Sequence, residues 1–265
     1  DEIGRTLKTI LQTLENELGY KTSWKVFDSL EFGLAQSRKR IFIVGTKDKK
    51  IDLNGNQPRF KSLESVLEKG LPTLKSNFID KLLAHFPFED LYGKSIKDKR
   101  GGDNNIHSWD IEIKGSVSKQ QAEILNKLFK QRRKKQWAVE IGIDWMDGMA
   151  LTLEQINTFI DLPKTELKTL LEDLTKKGYL KFEHPKKLVK LQTENGISTS
   201  RVYDETKPKG YNIVTGKLSF EINKVLDPKD IAPTLVATDV SRLAVPDGNG
   251  LRRLTIREGL RLFGY

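Results

Sequence analysis

The first fifty residues combine one helical stripe with two extended apolar runs. The apolar residues of the stripe fall at intervals of three and four: Leu7, Ile10, Leu11, Leu14 and Leu18. We expect a helix over residues 6–18 that ends at Gly19. Strands are expected over residues 24–27 and 41–45, and the second is a continuous apolar run typical of a buried strand. The pattern predicts α/β structure in which helices cover a sheet that two strands alone cannot complete.

A longer helix is predicted to begin at Ser118, because Ser118 and Gln121 have the spacing of a capping box. Its last turns carry six cations and no acid: Lys127, Lys130, Arg132, Arg133, Lys134 and Lys135. Cations suit a helix C-terminus through the helix dipole, but six exceed what capping requires. We predict that Lys130, Arg132, Arg133, Lys134 and Lys135 contact phosphate. The alternative is a solvated helix end.

Residues 152–191 have the order helix, tight turn, helix and hairpin. Thr152 and Gln155 form a second capping-box pattern, while Pro163 suits the start of the next helix and Gly178 its end. Two strands joined by a turn then follow. This order is typical of a winged-helix module, which we place in residues 150–192.

The second helix of such a module enters the major groove of DNA with its N-terminal side chains toward the bases. The predicted DNA contacts are Lys164, Thr165, Lys168 and Thr169, with Lys186 and Lys187 at the wing tip. Many winged-helix folds bind only proteins, so a protein-interaction domain without affinity for DNA stays open.

The last third of the chain is predicted to begin with a loop and to return afterwards to regular secondary structure. Residues 195–216 are rich in Gly, Ser and Lys and are predicted to be loop and turn. A strand is expected over residues 218–222 and a buried edge over residues 231–236. A final helix over residues 254–262 begins with a third capping box, formed by Thr255 and Glu258.

The charge balance favours a polyanionic partner. The chain of 265 residues has 46 basic and 36 acidic residues, which gives a formal net charge of +10 and a pI of about 9.5. It contains no cysteine, which excludes disulfides and thiol nucleophiles within it, and three histidines without paired spacing predict no metal site. No apolar run is long enough to span a bilayer. We expect a soluble, cytoplasmic protein.

Two short blocks near the ends of the chain carry a resemblance. The first reads Phe32-Gly-Leu-Ala-Gln36-Ser-Arg38-Lys-Arg40-Ile-Phe-Ile-Val-Gly45, and the second reads Arg252-Arg-Leu-Thr255-Ile-Arg257-Glu258-Gly-Leu-Arg261-Leu-Phe-Gly-Tyr265. With the buried run after Arg40 and the Pro233-Thr234-Leu235 segment, they resemble the late motifs of DNA cytosine-5 methyltransferases. The motif-level match covers residues 5–46 and 231–265, and the segment between them corresponds to the part that reads DNA sequence.

The resemblance implies roles for the motif residues. Arg38 and Arg40 are expected close to the flipped cytosine and its phosphates, in support of catalysis. A structural framework that fixes the recognition domain is expected from Gln36, Arg252, Thr255, Arg257 and Glu258. Without the resemblance, the charged residues of the last block would be interpreted as a surface ion-pair network.

The family mechanism swings cytosine out of the duplex, attacks C6 with a cysteine thiolate and transfers a methyl group from S-adenosylmethionine to C5. This chain has no cysteine, and serine is too poorly ionised near neutral pH to replace it. The sequence therefore predicts DNA recognition rather than complete catalysis. S-adenosylmethionine belongs to the complete enzyme, and no cofactor is expected in this chain.

The predicted fold class is an α/β fragment of a Rossmann-like methyltransferase domain at both ends, with an inserted α+β target recognition domain that contains the winged-helix-like module. We assign residues 1–50 to the distal part of the catalytic domain, residues 51–225 to recognition and residues 226–265 to the return segment. The expected partners are double-stranded DNA and the N-terminal catalytic part of the enzyme. Membrane and metal partners are not expected.

Three alternatives remain open at this stage. The chain is either a fragment of a restriction-modification methyltransferase or the recognition subunit of a naturally split enzyme, and a start at Asp1 and a stop inside a motif favour the fragment. A non-enzymatic winged-helix regulator predicts a dimer on a palindromic site, but it leaves both terminal blocks unexplained. The third alternative is the protein-interaction domain.

Overall fold

A computed structural model of the chain describes residues 4–55, 59–98, 104–193, 196–215, 220–238 and 240–265. Its helices are α1 (Arg5–Gln12), α2 (Asn77–His85), α3 (Phe88–Leu91), α4 (Lys119–Gln131), α5 (Gln136–Glu140), α6 (Leu153–Asn157), α7 (Lys164–Lys176) and α8 (Ile256–Leu262). Its strands are β1 (Lys21–Asp28), β2 (Lys39–Thr46), β3 (Ser95–Ile96), β4 (Asn105–Ile106), β5 (Leu180–Glu183), β6 (Lys186–Thr193), β7 (Gly196–Tyr203), β8 (Gly210–Ile213), β9 (Lys224–Val225), β10 (Leu243–Asp247) and β11 (Gly250–Arg253).

The chain divides into two compact units. Unit 1 comprises Asp1–Lys75, Phe88–Gly93 and Ile222–Tyr265, and unit 2 comprises Ser76–Pro87 and Lys94–Glu221. Unit 2 is thus inserted into the sequence of unit 1. Residues 51–75, which we assigned to the recognition segment, cluster with unit 1 instead. Backbone hydrogen bonds explain this, because Leu63 N donates to Asp230 O and Leu74 N donates to Leu251 O.

The first sheet of unit 1 is an antiparallel pair of strands with little cover. β1 and β2 pair along their whole length, from Lys21 opposite Thr46 to Asp28 opposite Lys39. The expectation that the apolar run in β2 is buried is not met, because Ile41 is 45% and Phe42 53% exposed. The predicted helix over residues 6–18 is present, but it leaves α-helical geometry after Gln12 and continues as a π-helical turn.

The core of unit 1 lies beside a second sheet, in which the strand order is β11, β10, β9. It contains Ala35, Leu63, Leu226, Ala232, Leu235, Leu243, Val245 and Leu262. The predicted edge over residues 231–236 contributes Ala232 and Leu235 to this core but makes only an isolated bridge, from Ala232 to Gln36. The predicted last helix is confirmed as α8, with the capping box of Thr255 and Glu258 in place.

The prediction of a strand over residues 218–222 falls partly outside the described residues. Residues 220–222 do not form a strand, and the next strand in the chain is β9. β9 adds to the second sheet in parallel, with Val225 opposite Ala244. Pairing partners far along the chain therefore decide where this strand forms.

Unit 2 has its own hydrophobic core, built mainly from α4, α6, α7, β5 and β8. The capping boxes at Ser118 and Thr152 are both present, so the predicted starts of α4 and α6 are confirmed. The predicted end of the basic helix is wrong, because α4 ends at Gln131 and not at Lys135. The indole N–H of Trp137 donates to the carbonyl of Gln131, and Met149 N donates to the carbonyl of Arg132, so the chain turns there.

The predicted hairpin of unit 2 has different pairing in the structure. β5 pairs with β8, and β6 pairs with β7. The strands β6 and β7 therefore form a separate two-stranded ribbon, which lies between β5 and β8 in the sequence. The segment predicted as loop over residues 195–216 thus contains two strands. β8 also exchanges two backbone hydrogen bonds with Leu151 through Tyr211. The order across this sheet is Leu151, β8, β5.

Gly210 is required by the close approach of β8 to residue 151. A Cβ at position 210 would lie 2.4 Å from the carbonyl oxygen of Leu151, which is far inside van der Waals contact. The Gly210→Ala substitution is therefore expected to reduce the free energy of unfolding by roughly 2 kcal/mol or more, as overpacking does. Urea denaturation followed by circular dichroism measures this loss.

Gly259→Ala in α8 is the matched control, because nothing lies within 4 Å of its Cβ position. Alanine in a helix interior stabilises by roughly 0.5–1 kcal/mol relative to glycine, so this variant should be unchanged or more stable. Equal stability of the two variants would show that β8 does not pass Leu151 as closely as described.

Candidate nucleic-acid interface

Gln36, from the first motif block, connects distant parts of unit 1. Its side chain is buried, the amide Nε2 donates to the carbonyl of Leu262 at 2.9 Å, and the amide Oε1 accepts from Leu235 N at 3.1 Å. The bond to Leu262 joins residues 226 positions apart in sequence. A glutamine suits this place because one amide supplies both a donor and an acceptor. Gln36 thus brings together the two motif blocks and the segment at Leu235.

The two arginines of the first block lie at the start of β2. Arg38 is half-buried, and its guanidinium stacks 5.4 Å from the centre of the Phe263 ring. Arg40 is exposed, and its Nη1 donates to the carbonyl of Lys39 at 2.7 Å. Alternate positions in extended backbone share a side of the chain. The role of Arg38 and Arg40 beside a target cytosine stays a prediction.

The second block centres on a buried ion pair. Arg252 is 3% exposed and binds the carboxylate of Glu258 in a bidentate manner, with N–O distances of 2.6 and 2.9 Å. The Nε of Arg252 also donates to Asp247 at 2.8 Å, and its Nη2 donates to the carbonyl of Glu68 at 2.6 Å. Planar guanidinium geometry matches such a set of acceptors. The pair is therefore part of the interior of unit 1 and not a surface network.

Glu258 has no exposed surface and is fully hydrogen-bonded. Its carboxylate accepts from Glu68 N and Thr255 N, each at 2.7 Å, besides binding Arg252. Burial alone raises the pKa of Glu258, but the Arg252 guanidinium and the backbone N–H groups outweigh burial, so the pKa lies below its ordinary value of 4.5. Arg257, in contrast, has a side chain that is 75% exposed and lies 3.9 Å from Glu68.

The basic residues at the end of α4 and directly after it lie partly in the interior and partly on the surface. Arg132 is 6% exposed, and its Nη1 donates to the amide oxygen of Asn212 and to the carbonyl of Ile213. Burial lowers the pKa of Arg132 to about 10. Arg133 is half-buried, 3.6 Å from Asp147 and over the Phe129 ring. Of the five cations predicted to contact phosphate, Arg132 is therefore not on the surface but faces inward. Lys130, Lys134 and Lys135 are exposed.

The predicted recognition helix α7 presents a nearly neutral face. Lys164 pairs with Glu154 at 2.7 Å, and Lys168 lies 3.8 Å from Glu172. Thr165 and Thr169 are exposed, and the hydroxyl of Thr169 donates to the carbonyl of Thr165. The predicted positions are therefore on the surface, but the charges of both lysines are compensated.

The predicted wing-tip lysines lie at the base of the β6–β7 ribbon. Lys187 pairs with Asp204 at 3.1 Å, and the ammonium of Lys186 lies 5.1 Å from the centre of the Tyr203 ring. Lys186 also lines a cavity of about 250 Å³. The polar and charged residues around this cavity include Arg132, Lys181, Glu183, Arg201 and Asn212.

Arg201, Lys181 and Asn212 were missed at the sequence level. Arg201 and Asn212 lie in the segment predicted as loop, and their place beside Lys186 and Arg132 depends on cross-strand pairing that residue patterns do not reveal. The β-branched and aromatic residues Thr199, Val202 and Tyr203 are the signal that favours a strand at β7.

Two further findings concern metal binding and membrane-spanning helices. Within the described ranges, there is no group of three or more His, Asp or Glu side chains that is arranged to hold a metal ion. Among the helices described above, none is long and apolar enough to cross a membrane.

The joined motif blocks of unit 1 define a DNA-modifying class of protein. The chain belongs to the C-5 cytosine-specific DNA methylase family, whose model matches residues 1–265. It is 57% identical over 264 residues to Type II methyltransferase M.NlaIV of Neisseria lactamica and 56% identical to M.NgoBV of Neisseria gonorrhoeae. M.BanI of Aneurinibacillus aneurinilyticus is 35% identical over 287 residues.

These relatives are longer than this chain. The alignments with the two Neisseria proteins include all of this chain and 60% of each relative, and the alignment with M.BanI includes 99% of the chain and 59% of the relative. No solved structure matches the chain.

The buried pair of Arg252 and Glu258 gives a prediction for stability. Glu258→Gln removes one of the two carboxylates that pair with the guanidinium, and Asp247 remains. The free energy of unfolding is therefore expected to fall by roughly 3 kcal/mol at neutral pH, the lower end of the range for breaking a buried ion pair. Because the pKa of Glu258 is lowered in the folded chain, its contribution is present above pH 4.5 and is lost as the pH falls below 4.5. Urea titrations at several pH values measure both effects.

Glu64→Gln removes an exposed carboxylate of unit 1 and serves as the control. The stability difference between Glu258→Gln and the unaltered chain should shrink in acid, whereas Glu64→Gln should follow the unaltered chain throughout. A difference that stays constant from neutral pH into the acid range would contradict the ionised state of Glu258.

Proposed function

We propose that this chain is the target-recognition part of a DNA cytosine-5 methyltransferase, together with flanking pieces of the catalytic domain. The observation that carries the proposal is the meeting of both motif blocks in unit 1 through Gln36, with unit 2 inserted between them. A folded insertion between framework motifs is a suitable place to read DNA sequence without altering the reaction site. Unit 2 would supply the contacts to double-stranded DNA.

The fold class of the proposal follows the order of elements. The β1–β2 pair and the second sheet of unit 1 fit the distal pieces of a Rossmann-like domain. In unit 2, the order α4, Leu151, α6, α7, β5, ribbon and β8, with β8 between Leu151 and β5, supports a winged-helix-like module. The ribbon of β6 and β7 then takes the position of an extended wing.

An additional catalytic part is proposed as the partner of unit 1. Trp24, Val26 and Ile41 share one face of the β1–β2 pair and are 45%, 43% and 45% exposed. Such a group of large apolar side chains in a sheet is typical of a surface that another element covers. The remaining sequence of a methyltransferase is the occupant that the family relationship supports.

The chemistry proposed for the complete enzyme is cytosine flipping, thiolate attack at C6 and methyl transfer from S-adenosylmethionine to C5. This chain has no cysteine, so we derive no step of that transfer from its residues. Arg38 and Arg40 are proposed to contact the flipped nucleotide from the edge of β2. As in the named Type II relatives, we propose a restriction-modification role.

The proposal predicts DNA binding without methyl transfer by the chain alone. Fluorescence anisotropy with labelled duplex DNA should show binding that weakens steeply with salt, because cations that contact phosphates release counterions. Labelled S-adenosylmethionine should give no incorporation into DNA. Absence of duplex binding at low salt, or methyl transfer by this chain without a cysteine, would refute the proposal.

The exposed β1–β2 surface gives a second prediction. Ile41→Ser should leave the unfolding midpoint of the chain nearly unchanged, because its side chain is already 45% exposed. In a mixture with a separately expressed N-terminal catalytic part, the unaltered chain should restore methyl transfer and Ile41→Ser should reduce it by at least about tenfold, since burying an Ile side chain contributes roughly 1.5–3 kcal/mol.

Ile51→Ser is the matched control, because Ile51 is 43% exposed and lies outside the two strands. Full complementation is expected with this variant. If both variants complement equally well, the β1–β2 surface is not where the catalytic part binds.

A further inference from the structure

We infer that unit 2 holds the backbone of double-stranded DNA on one face of the β6–β7 ribbon and in the cavity at its base, and not on the predicted recognition helix α7. The inference rests on the proposed function, because it assigns the DNA contact within unit 2. The ligand class is a phosphate group of duplex DNA. The residues that carry it are Lys186, Lys190, Arg201 and Arg132.

The pairing register places three cations on one face of the ribbon. Lys186 is opposite Tyr203, Leu188 opposite Arg201 and Lys190 opposite Thr199. Alternate residues of a strand and their directly opposed partners share a face, so Lys186, Lys190 and Arg201 lie together. Lys190 and Arg201 are exposed, and Lys186 is partly exposed. Among the described residues, none of the three has an acidic partner.

The cavity continues this cationic face into unit 2. Lys186 and Arg201 line it together with the buried Arg132. The Nε of Arg132 is buried and has no hydrogen-bond partner among the described residues, although its Nη1 is bonded. A buried guanidinium N–H without an acceptor costs free energy, and a phosphate oxygen is an acceptor of matching charge.

The acidic residues at the cavity are already engaged. Glu183 accepts from Lys181 at 2.6 Å, from Tyr203 at 2.8 Å and from Asn212 at 2.8 Å. Asp147 lies 3.6 Å from Arg133. The cavity is lined by four cations (Arg132, Lys181, Lys186 and Arg201) and two carboxylates, and Lys181 is already paired with Glu183. The remaining positive excess favours an anion.

The helix α7 offers a weaker electrostatic surface than the ribbon. Lys164 and Lys168 have acidic partners, and the exposed Glu166 adds a further negative charge to the same helix. A surface of balanced charge displaces few counterions from DNA, so it contributes little to binding. The ribbon also has a suitable shape, because the major groove admits a two-stranded β-ribbon.

The test compares charge-removing variants of the whole chain in duplex DNA binding. The ribbon variant K186Q/K190Q/R201Q and the control K119Q/K127Q/K176Q each remove three positive charges, and the helix variant K164Q/K168Q removes two. The control residues are exposed and lie outside the ribbon, with Lys176 at the opposite end of α7 from Lys164. The ribbon variant should bind at least about tenfold more weakly at moderate salt. Its slope of log K against log salt should be flatter by about 2.7, since each phosphate contact contributes about 0.9.

The control should change affinity less than about threefold, through long-range electrostatics alone. Circular dichroism should show that all variants keep the fold, because the substituted side chains are on the surface. If the helix variant weakens binding as much as the ribbon variant, or if the ribbon variant matches the control, the inference is overturned while the proposed function stands. If the unaltered chain binds no duplex DNA, the proposed function itself fails.

Inorganic phosphate separates a DNA site from a site for free anions. Added at the same ionic strength as chloride, it should displace the DNA no better than chloride does, because a single phosphate lacks the contacts along the ribbon. Stronger displacement by phosphate than by chloride would assign the cavity to a free phosphate compound and overturn the inference.

Discussion

The guanidinium of Arg252 is the point on which unit 1 depends. It binds the carboxylates of Glu258 and Asp247 and the backbone carbonyl of Glu68, so it joins α8, the β10–β11 turn and the segment after β2. Arg252 and Glu258 are buried and Asp247 is partly exposed, so the loss of one acceptor leaves the others to compensate the buried charge of the guanidinium. Gln36 also links separate segments, but through an uncharged amide, which forms hydrogen bonds with Leu235 and Leu262. The motif residues therefore hold together segments that unit 2 separates in sequence.

The elements that the sequence predicts well are those whose cause is local. Three capping boxes, at Ser118, Thr152 and Thr255, mark helix starts that the structure contains, because a cap needs only the next three residues. Strand pairing depends on residues far along the chain. The pairing of β5 with β8, and the ribbon between them, were therefore not predictable from alternation in residues 179–191.

The candidate site shows the same difference between features with a local cause and features that depend on distant residues. A count of positive residues marks unit 2 as basic, but it cannot tell which cations are free to meet a ligand. Arg132 lies in the interior, where it donates to Asn212 and lines the cavity, and Lys164 is compensated by Glu154. Arg201 joins Lys186 only through strand register. Charge density in sequence thus differs from charge available at a surface. Burial and ion pairing decide the difference, and both depend on the tertiary fold.

The insertion of unit 2 affects the order in which the chain can fold during synthesis. Unit 2 is almost continuous in sequence, so its core can form soon after residue 221 leaves the ribosome. Gln36 must wait for Leu262, 226 residues later, which takes roughly 10–45 s at about 5–20 residues per second. Throughout that interval the apolar β1–β2 segment lacks the core of unit 1. The β1–β2 segment is therefore the part of unit 1 that stays open to aggregation, and to chaperone binding, until Leu262 has been synthesised.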